Sequence, residues 1–175
     1  ALTLDGVVRA FLAGHRVAAL DAPELGAGDD PVSDWGQRLP ATLRAAGVSG
    51  AVHLVGWSFG ATLALAAAQA HPARVASVTA VCPAAWPGGA PPLRDLAALM
   101  ARVREAVARE TAGEPALRSL FAANTARAWD QCRALTRFDA AAAARRVDRP
   151  LLVVAGDVDG VVTPRDAGAL AACAR

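Results

Sequence analysis

The sequence Gly-x-Ser-x-Gly at residues 56–60 constrains this chain more than any other stretch. An apolar run at 51–55 precedes it and an alanine-rich run at 61–70 follows it, so a strand and a helix are predicted on its two sides. A serine at such a joint sits in a strained turn, and the positions two before and two after it must be almost free of side chain. Gly56 and Gly60 meet that demand. In a glycine-rich chain the pattern also fits an ordinary turn, but the flanking runs favour a strained turn that presents Ser58 as a nucleophile.

The bulk composition limits the class of protein. A chain of 175 residues is long enough for one core and too short for two ordinary domains, and 54% hydrophobic residues argue for a folded protein. A net charge of +2, spread along the chain, leaves no basic patch for nucleic acid. No apolar run reaches the roughly 18 residues of a membrane span. We therefore expect a cytoplasmic protein that acts on a small molecule and binds neither nucleic acid nor membrane.

The three cysteines give no sign of a metal site. Cys82, Cys132 and Cys173 are odd in number, lie far apart, and lack Cys-x-x-Cys spacing or histidine partners. We predict free buried thiols in a reducing compartment, with no metal and no cofactor.

Hydrophobic periodicity divides the chain into alternating strands and helices. Ser33 is the expected N-cap of the helix that Gly47 ends, and His71-Pro72 is the expected end of the helix after the serine motif. This order implies a mostly parallel sheet with crossover helices. The predicted strands are 17–20, 51–55, 75–81 and 151–155, and the predicted helices are 4–13, 34–46, 61–70, 93–109, 115–135 and one that begins at Pro164.

The two helices predicted within 93–135 stand between two strands of the sheet, so we interpret them as an inserted helical cap. The expected organisation is the N-terminal part of an α/β core at 1–83, the cap at 84–137, and the C-terminal part of the core at 138–175. Large apolar side chains of the cap are candidates to line an acyl pocket, although each taken singly is better explained by packing. They are Trp86, Leu96, Leu99, Met100, Phe121 and Trp129.

Three stretches in the correct order resemble the α/β-hydrolases of the small esterase, lactonase and aminopeptidase type. Residues 53–60 with 70–75 are similar to the family's nucleophile elbow and the helix behind it, 17–23 to the preceding strand and loop, and 151–164 to the strand that carries the acid. The resemblance implies an α/β-hydrolase core with a helical cap, in which the first strands and the last strand of the family fold are missing.

The resemblance also implies a role for each residue of the serine turn. Ser58 would be the nucleophile, and it needs an imidazole within hydrogen-bond reach to remove its proton. The backbone N–H of Phe59 would be one oxyanion donor. Gly56 and Gly60 would shape the elbow.

The acid in the family pattern matches Asp159, with Asp157 as the alternative, because both follow the carboxyl end of a strand. In the competing interpretation, one carboxylate caps the turn or the helix at Pro164, a role open to Asp157 and to Asp166.

No histidine occupies the position of the family's base. His15 precedes an early strand, His53 begins the strand before the serine, and His71 ends the following helix, where a dipole contact is favoured. No histidine follows Asp159. We therefore expect a natural chain that extends beyond both ends, and no ester turnover by these 175 residues above a Ser58→Ala control.

The function implied by the resemblance is a serine hydrolase that acts on a small ester, thioester or lactone through an acyl-Ser58 intermediate. Three other activities of the same fold remain as alternatives: an aminopeptidase, a carbon–carbon bond hydrolase and a cofactor-free haloperoxidase. A protein that binds ligands without turning them over is the alternative from a different class, and the missing base favours it.

Overall fold

The computed structural model describes residues 14–20, 28–85, 96–115, 119, 125–159 and 161–174. The strands in this part of the chain are β1 (Val52–Trp57), β2 (Val75–Val81) and β3 (Leu151–Val154). The helices with defined bounds are α1 (Pro31–Gln37), α2 (Leu39–Ala45), α3 (Phe59–Ala70), α4 (Leu96–Glu110), α5 (Thr125–Leu135), α6 (Ala140–Arg146) and α7 (Pro164–Ala171). A 3₁₀ turn at Pro72–Arg74 joins α3 to β2.

The strands form a parallel sheet in the order β1–β2–β3. Trp57 lies opposite Val81, and Val81 lies opposite Val154, so the carboxyl ends of the three strands meet at one edge. The serine turn after β1 and the acidic turn after β3 therefore lie at the same edge. Ligand sites of open α/β sheets form there.

Helix α3 fills the centre of the core. Every residue from 61 to 68 is buried, because small alanine side chains let the helix pack closely against β1 and β2. Helices α1, α2, α6 and α7 contribute Val32, Leu39, Ala143 and Leu170 to the same cluster. The turn at Ser58 thus lies at the start of a helix whose residues 61–68 are all buried.

The two faces of the sheet differ. The helices of the core pack against one face, where Val78 is 1% exposed. On the opposite face Val55 is 51% exposed and Leu152 is 58% exposed. Side chains alternate between the faces along a strand, so Trp57 and Val154 share the exposed face.

The predicted parallel sheet with crossover helices is confirmed, but the predicted buried strand at 17–20 is wrong. These residues form no strand and are exposed. A strand is stable only where its backbone N–H and C=O groups find partners, and in the described sheet β1 pairs with β2 alone. Apolar composition at 17–20 was therefore insufficient to predict strand pairing.

The helix predicted at 34–46 is also different in the structure. It is split into α1 and α2 at Arg38, and its N-cap is Asp30, whose carboxylate accepts the Ser33 N–H at 3.0 Å. The prediction that Ser33 is the cap is wrong, because Ser33 lies inside α1. Gly47 follows the end of α2 with a φ of +69°, as expected of a helix-terminating glycine.

Helix α6 has no counterpart among the predicted elements. Asp139 caps it by accepting the Ala142 N–H at 2.8 Å, and four of its alanines are buried. A short run of alanines has no hydrophobic period, which explains why periodicity missed it. Helix α7 begins at Pro164 as predicted, and β2 spans 75–81 as predicted.

The region predicted to be a cap contains a small apolar cluster of its own. Leu96, Leu99 and Met100 of α4 are buried against Cys132 of α5. The end of α5 packs with the main core through Ala134 and Leu135. The boundaries 84–137 stay a prediction. The predicted helix at 4–13, the loop at 21–23, Trp86 and Phe121 lie outside the described residues.

Candidate active site

Ser58 lies in the backbone geometry of a strained turn. Its φ is +52° and its ψ is −117°, values that a residue with a side chain adopts only where the surroundings enforce them. Its N–H donates to the Val81 carbonyl at 2.8 Å, which continues the pairing of β1 and β2 into the turn. Ser58 is half-buried, and within the described residues its hydroxyl makes no hydrogen bond.

Gly56 and Gly60 contribute differently to this turn. A Cβ on Gly56 would lie 2.3 Å from the Gly60 carbonyl oxygen and 2.6 Å from the Ala61 Cα, so glycine is required there. A Cβ on Gly60 would meet nothing within 4 Å. The prediction that Gly60 must also lack a side chain for reasons of space is wrong. The contact is one-sided, because the Gly60 backbone faces Gly56 while the position that a Cβ of residue 60 would take faces open space.

The peptide between Ser58 and Phe59 is held by two hydrogen bonds to its carbonyl oxygen. The Ser58 carbonyl accepts the Ala61 N–H at 3.0 Å and the Ala84 N–H at 3.3 Å. The Phe59 N–H, at the start of α3, has no hydrogen-bond partner among the described residues. A backbone N–H on the residue after Ser58, at the positive end of a helix dipole, is suited to bind an oxyanion. The Phe59 ring is buried in the core.

Asp159 lies in the turn after β3, and one of its carboxylate oxygens is fixed by the backbone. Oδ1 accepts the Val161 N–H at 2.8 Å and the Val162 N–H at 2.9 Å. No hydrogen bond is seen at Oδ2 within the described residues. A carboxylate with one oxygen fixed and the other free is arranged to hold an imidazole N–H in a defined direction.

The neighbouring carboxylates have other environments. Asp157 is exposed and makes no hydrogen bond within the described part of the chain. Asp166 forms a capping box with Thr163, in which its carboxylate accepts the Thr163 N–H and hydroxyl. Asp166 therefore has the capping role that the sequence left open between Asp157 and Asp166.

His53 and His71 are hydrogen bonded to other groups, far from Ser58. His53 is five residues before Ser58 on β1, about 16 Å away along a strand, and its Nδ1 lies 2.7 Å from the Ser77 hydroxyl. His71 follows the 12 residues of α3, about 18 Å of helix, and its Nε2 lies 3.0 Å from the Gln37 carbonyl. His15 is exposed. In the described residues the serine and the acid are present without an adjacent base.

Helix α4, in the region predicted to be a cap, contacts the turn that carries Asp159. Val161, whose N–H binds Asp159, packs against the cluster of Leu96, Leu99, Met100 and Cys132. The Arg102 guanidinium of α4 donates to the Val161 carbonyl at 3.1 Å. Of the predicted pocket residues, Leu96, Leu99 and Met100 are buried in this cluster, and Trp129 is exposed. The apolar cluster of α4 and α5 therefore packs against the turn that carries Asp159.

No disulfide joins the three cysteines, as predicted, but the prediction that all three are buried is wrong: only Cys132 is buried, and Cys82 and Cys173 are half-buried. Burial raises the pKa of the Cys132 thiol. The described residues contain no group of His, Cys, Asp or Glu side chains that could hold a metal ion. Nor does any helix among them have the length and apolar character needed to cross a bilayer.

Thr62 and Ala84 are site neighbours that the sequence did not indicate. The Thr62 hydroxyl, fully buried in α3, donates to the Ala84 carbonyl at 2.8 Å. The available signal was that Thr62 is the one polar residue among positions 61–68. A buried polar residue in an alanine helix requires a hydrogen-bond partner.

Residues 3–175 match the family profile described as the alpha/beta hydrolase family. The match covers nearly the whole chain, and this protein is a member of that family.

Solved structures agree on the fold. A hydrolase from Pseudomonas aeruginosa PA01 has a TM-score of 0.73 and 23% identity, and the alignment covers 99% of this chain and 73% of that structure. The esterase RhEst1 from Rhodococcus sp. ECU1013 has a TM-score of 0.70 and 22% identity, with 97% of this chain and 72% of that structure covered. At these identities the similarity establishes the α/β-hydrolase fold.

A curated relative places a similar sequence in a much larger protein. The polyketide synthase ThaQ of Burkholderia thailandensis is 32% identical over 187 residues. The alignment covers 91% of this chain, which spans 9% of the length of that relative.

Proposed function

We propose that Ser58 is the nucleophile of a serine hydrolase that cleaves a small ester, thioester or lactone, with Asp159 as the acid of its triad. The observation that carries this proposal is the turn at Ser58. An enforced φ of +52°, a hydroxyl without a partner in the described residues, and an unpaired N–H on the next residue occur together. A turn that serves only to connect β1 and α3 needs none of these features.

The proposed reaction follows from these groups. Ser58 Oγ attacks the acyl carbon and gives its proton to a base, while the negative oxygen of the tetrahedral intermediate accepts the Phe59 N–H. The carbon–oxygen or carbon–sulfur bond to the leaving group breaks, and that group takes the proton from the base. Water then attacks the acyl carbon and gives a proton to the base. The bond from that carbon to Ser58 Oγ breaks, Oγ takes the proton back from the base, and the carboxylic acid is released. Asp159 would orient the base through its free Oδ2.

The base has no candidate among residues in contact with Ser58, so the test supplies one. Hydrolysis of p-nitrophenyl acetate is measured with increasing free imidazole for the unchanged chain, Ser58→Ala and Ser49→Ala. Ser49 is an exposed serine far from the turn and serves as the matched control. Without imidazole, we expect the unchanged chain to hydrolyse the ester no faster than Ser58→Ala. With imidazole, the rate of the unchanged chain should rise above that of Ser58→Ala, and Ser49→Ala should show the same rise. Equal rates for the unchanged chain and Ser58→Ala at every imidazole concentration would contradict the proposal.

The acyl and leaving groups are then varied. Esters, thioesters and lactones of the same acyl chain compare the leaving groups, and an aminoacyl p-nitroanilide tests the aminopeptidase alternative. Because one relative is a polyketide synthase, a longer polyketide-like acyl chain is included beside acetyl and butyryl groups.

A ligand-binding protein of the same fold is the second candidate. The position of the histidines favours it, because His53 and His71 lie at the far ends of β1 and α3 from Ser58. This candidate predicts that non-hydrolysable ester analogues bind equally well to the unchanged chain and to Ser58→Ala, and that imidazole gives no Ser58-dependent turnover.

A further inference from the structure

We propose that Thr62 is a positioning residue for the oxyanion donor, acting through Ala84 on the Ser58–Phe59 peptide. The proposal rests on the assignment of Ser58 as the nucleophile. It adds a residue that does not touch the substrate but sets the direction of the N–H that would.

The first step of the argument is the geometry of one peptide unit. In a trans peptide the C=O and the N–H point in opposite directions across a rigid plane, and no cis peptide bond occurs here. The Ser58 carbonyl and the Phe59 N–H belong to the same plane. Whatever fixes the direction of the Ser58 carbonyl therefore also fixes the direction of the Phe59 N–H.

The second step is what holds the Ser58 carbonyl. One donor, the Ala61 N–H at 3.0 Å, is local to the first turn of α3. The other, the Ala84 N–H at 3.3 Å, comes from the segment after β2. With the Ala61 bond alone, the plane of the Ser58–Phe59 peptide can still rotate about the line between its two Cα atoms. A second donor from another part of the chain restricts that rotation.

The third step is what holds Ala84. Its carbonyl accepts the Thr62 hydroxyl at 2.8 Å, and Thr62 is 0% exposed. Ala84 belongs to the segment 82–85 that follows β2. This segment begins at Cys82, whose φ is +42°, and contains a hydrogen bond from the Ala85 N–H to the Pro83 carbonyl at 2.7 Å. Thr62 is the side chain that ties this segment to α3. The bonds from Thr62 to Ala84 and from Ala84 to Ser58 thus form a connected path to the oxyanion donor.

The simpler interpretation is that Thr62 only satisfies a buried carbonyl. Under that interpretation, removing the hydroxyl lowers stability and leaves the reactivity of the folded protein unchanged. Under the proposal, removing it slows the chemical step at Ser58 while initial binding of the reagent is kept, because oxyanion contacts act in the transition state.

The test compares Thr62→Val, which keeps the shape and removes the hydroxyl, with Thr62→Ser, which restores the hydroxyl. Thr111→Val is the matched control, since Thr111 is also a buried threonine among the described residues, and its hydroxyl also donates to a backbone carbonyl, that of Val107. Circular dichroism establishes that each variant is folded at the assay temperature. Phosphonylation by a fluorophosphonate in the presence of imidazole gives the limiting rate and the half-saturating concentration separately.

We expect Thr62→Val to lower the limiting rate about tenfold and to leave the half-saturating concentration unchanged. Complete loss of an oxyanion donor lowers a rate by about 10²- to 10³-fold, so the expected effect is a partial one. Thr62→Ser restores most of that rate, and Thr111→Val does not change it. Amide hydrogen exchange, read residue by residue by NMR, gives a second readout. The Ala84 N–H should exchange about tenfold faster in Thr62→Val, the effect of one lost hydrogen bond, and at the original rate in Thr62→Ser.

The outcomes separate this proposal from the function on which it rests. If Ser58 of the unchanged chain does not react with the fluorophosphonate, the assignment of the nucleophile fails, and the exchange of Ala84 alone decides whether Thr62 holds this peptide. An Ala84 N–H that exchanges equally fast in Thr62→Val and the unchanged chain overturns the proposal. So does an unchanged limiting rate in a folded Thr62→Val protein whose Ser58 reacts.

Discussion

The turns that carry Ser58 and Asp159 lie at the same edge of one sheet, yet they are held in different ways. The serine turn is fixed by steric contact of backbone against backbone, with Gly56 pressed against Gly60. The acid turn is half-exposed and is fixed by its own carboxylate, which accepts two N–H groups. The first turn should therefore be sensitive to added volume, and the second to the loss of polar contacts.

The largest expected effect is at Gly56. The Gly56→Ala substitution places a methyl group within 2.6 Å of three atoms of the Gly60–Ala61 backbone, and backbone cannot yield as a side chain can. We expect a loss of at least about 3 kcal/mol of unfolding free energy, or failure to fold. Urea unfolding followed by circular dichroism measures it.

Gly60→Ala is the matched control for that substitution. The same methyl group at Gly60 meets no atom within 4 Å, and alanine is favoured over glycine within a helix. We expect a gain of about 0.5–1 kcal/mol. Similar losses in both variants would show that the elbow is not built on the one-sided contact described above.

The next effect is at the acid turn. Asp159→Ala leaves the Val161 and Val162 N–H groups without their acceptor, and we expect a loss of about 1–2 kcal/mol in unfolding free energy. Asp159→Asn keeps an amide oxygen in the place of Oδ1 and should cost less than about 1 kcal/mol. Asp157→Ala, at an exposed side chain, should lie within about 0.5 kcal/mol of the unchanged protein.

These three variants also distinguish the two carboxylates. If Asp157→Ala is the more destabilising, the turn is organised around Asp157 and the choice of Asp159 as the acid loses its structural basis.

A smaller effect is expected from the strain at Ser58 itself. Glycine adopts a φ of +52° without the steric cost that a Cβ imposes. Compared with Ser58→Ala, which keeps the Cβ, Ser58→Gly should be more stable by about 1 kcal/mol, even though glycine loses more chain entropy on folding. A Ser58→Gly protein less stable than Ser58→Ala would indicate that the turn is relaxed.

The smallest effect concerns the cap contact with the acid turn. Burial of Cys132 beside Val161 keeps its thiolate fraction low at pH 8, so iodoacetamide should modify Cys132 more slowly than the half-buried Cys173. Arg102→Met removes the bond to the Val161 carbonyl and should raise the Cys132 rate by about two- to threefold. Peptide mapping by mass spectrometry gives each rate.

Arg104→Met, at another exposed arginine of α4, is the control for Arg102→Met. Equal effects of the two substitutions would attribute the change to charge on the helix and not to the contact with the acid turn.

The difference between the two turns also explains how far the sequence could be interpreted. The serine turn was predictable because its requirements are local: a strand, a strained residue, a close glycine and a helix follow one another within about 20 residues. The prediction of a strand at 17–20 failed because composition alone does not supply the neighbouring strand that a strand needs, and that neighbour can lie anywhere in the chain. Residues 17–20 are apolar yet unpaired in the structure.

The interactions around the site were harder to predict for the same reason. Asp159 was favoured over Asp157 by motif alone, and the two backbone bonds that distinguish it depend on how the chain turns after β3. The bond from Thr62 to Ala84 joins residues 22 positions apart, and nothing in either local sequence indicates the other. The role of Gly60 was overestimated because the pattern contains two glycines, while the contact needs only one side to lack a Cβ.

The most direct test of the central claim is the site of covalent modification by a fluorophosphonate with imidazole present. After proteolysis, mass spectrometry identifies the modified residue, with Ser58→Ala treated in parallel. The account predicts one adduct, on Ser58, that is absent from Ser58→Ala. No adduct on Ser58, or an equal yield of adduct in Ser58→Ala, would contradict the assignment of this turn as a nucleophile elbow with an available serine.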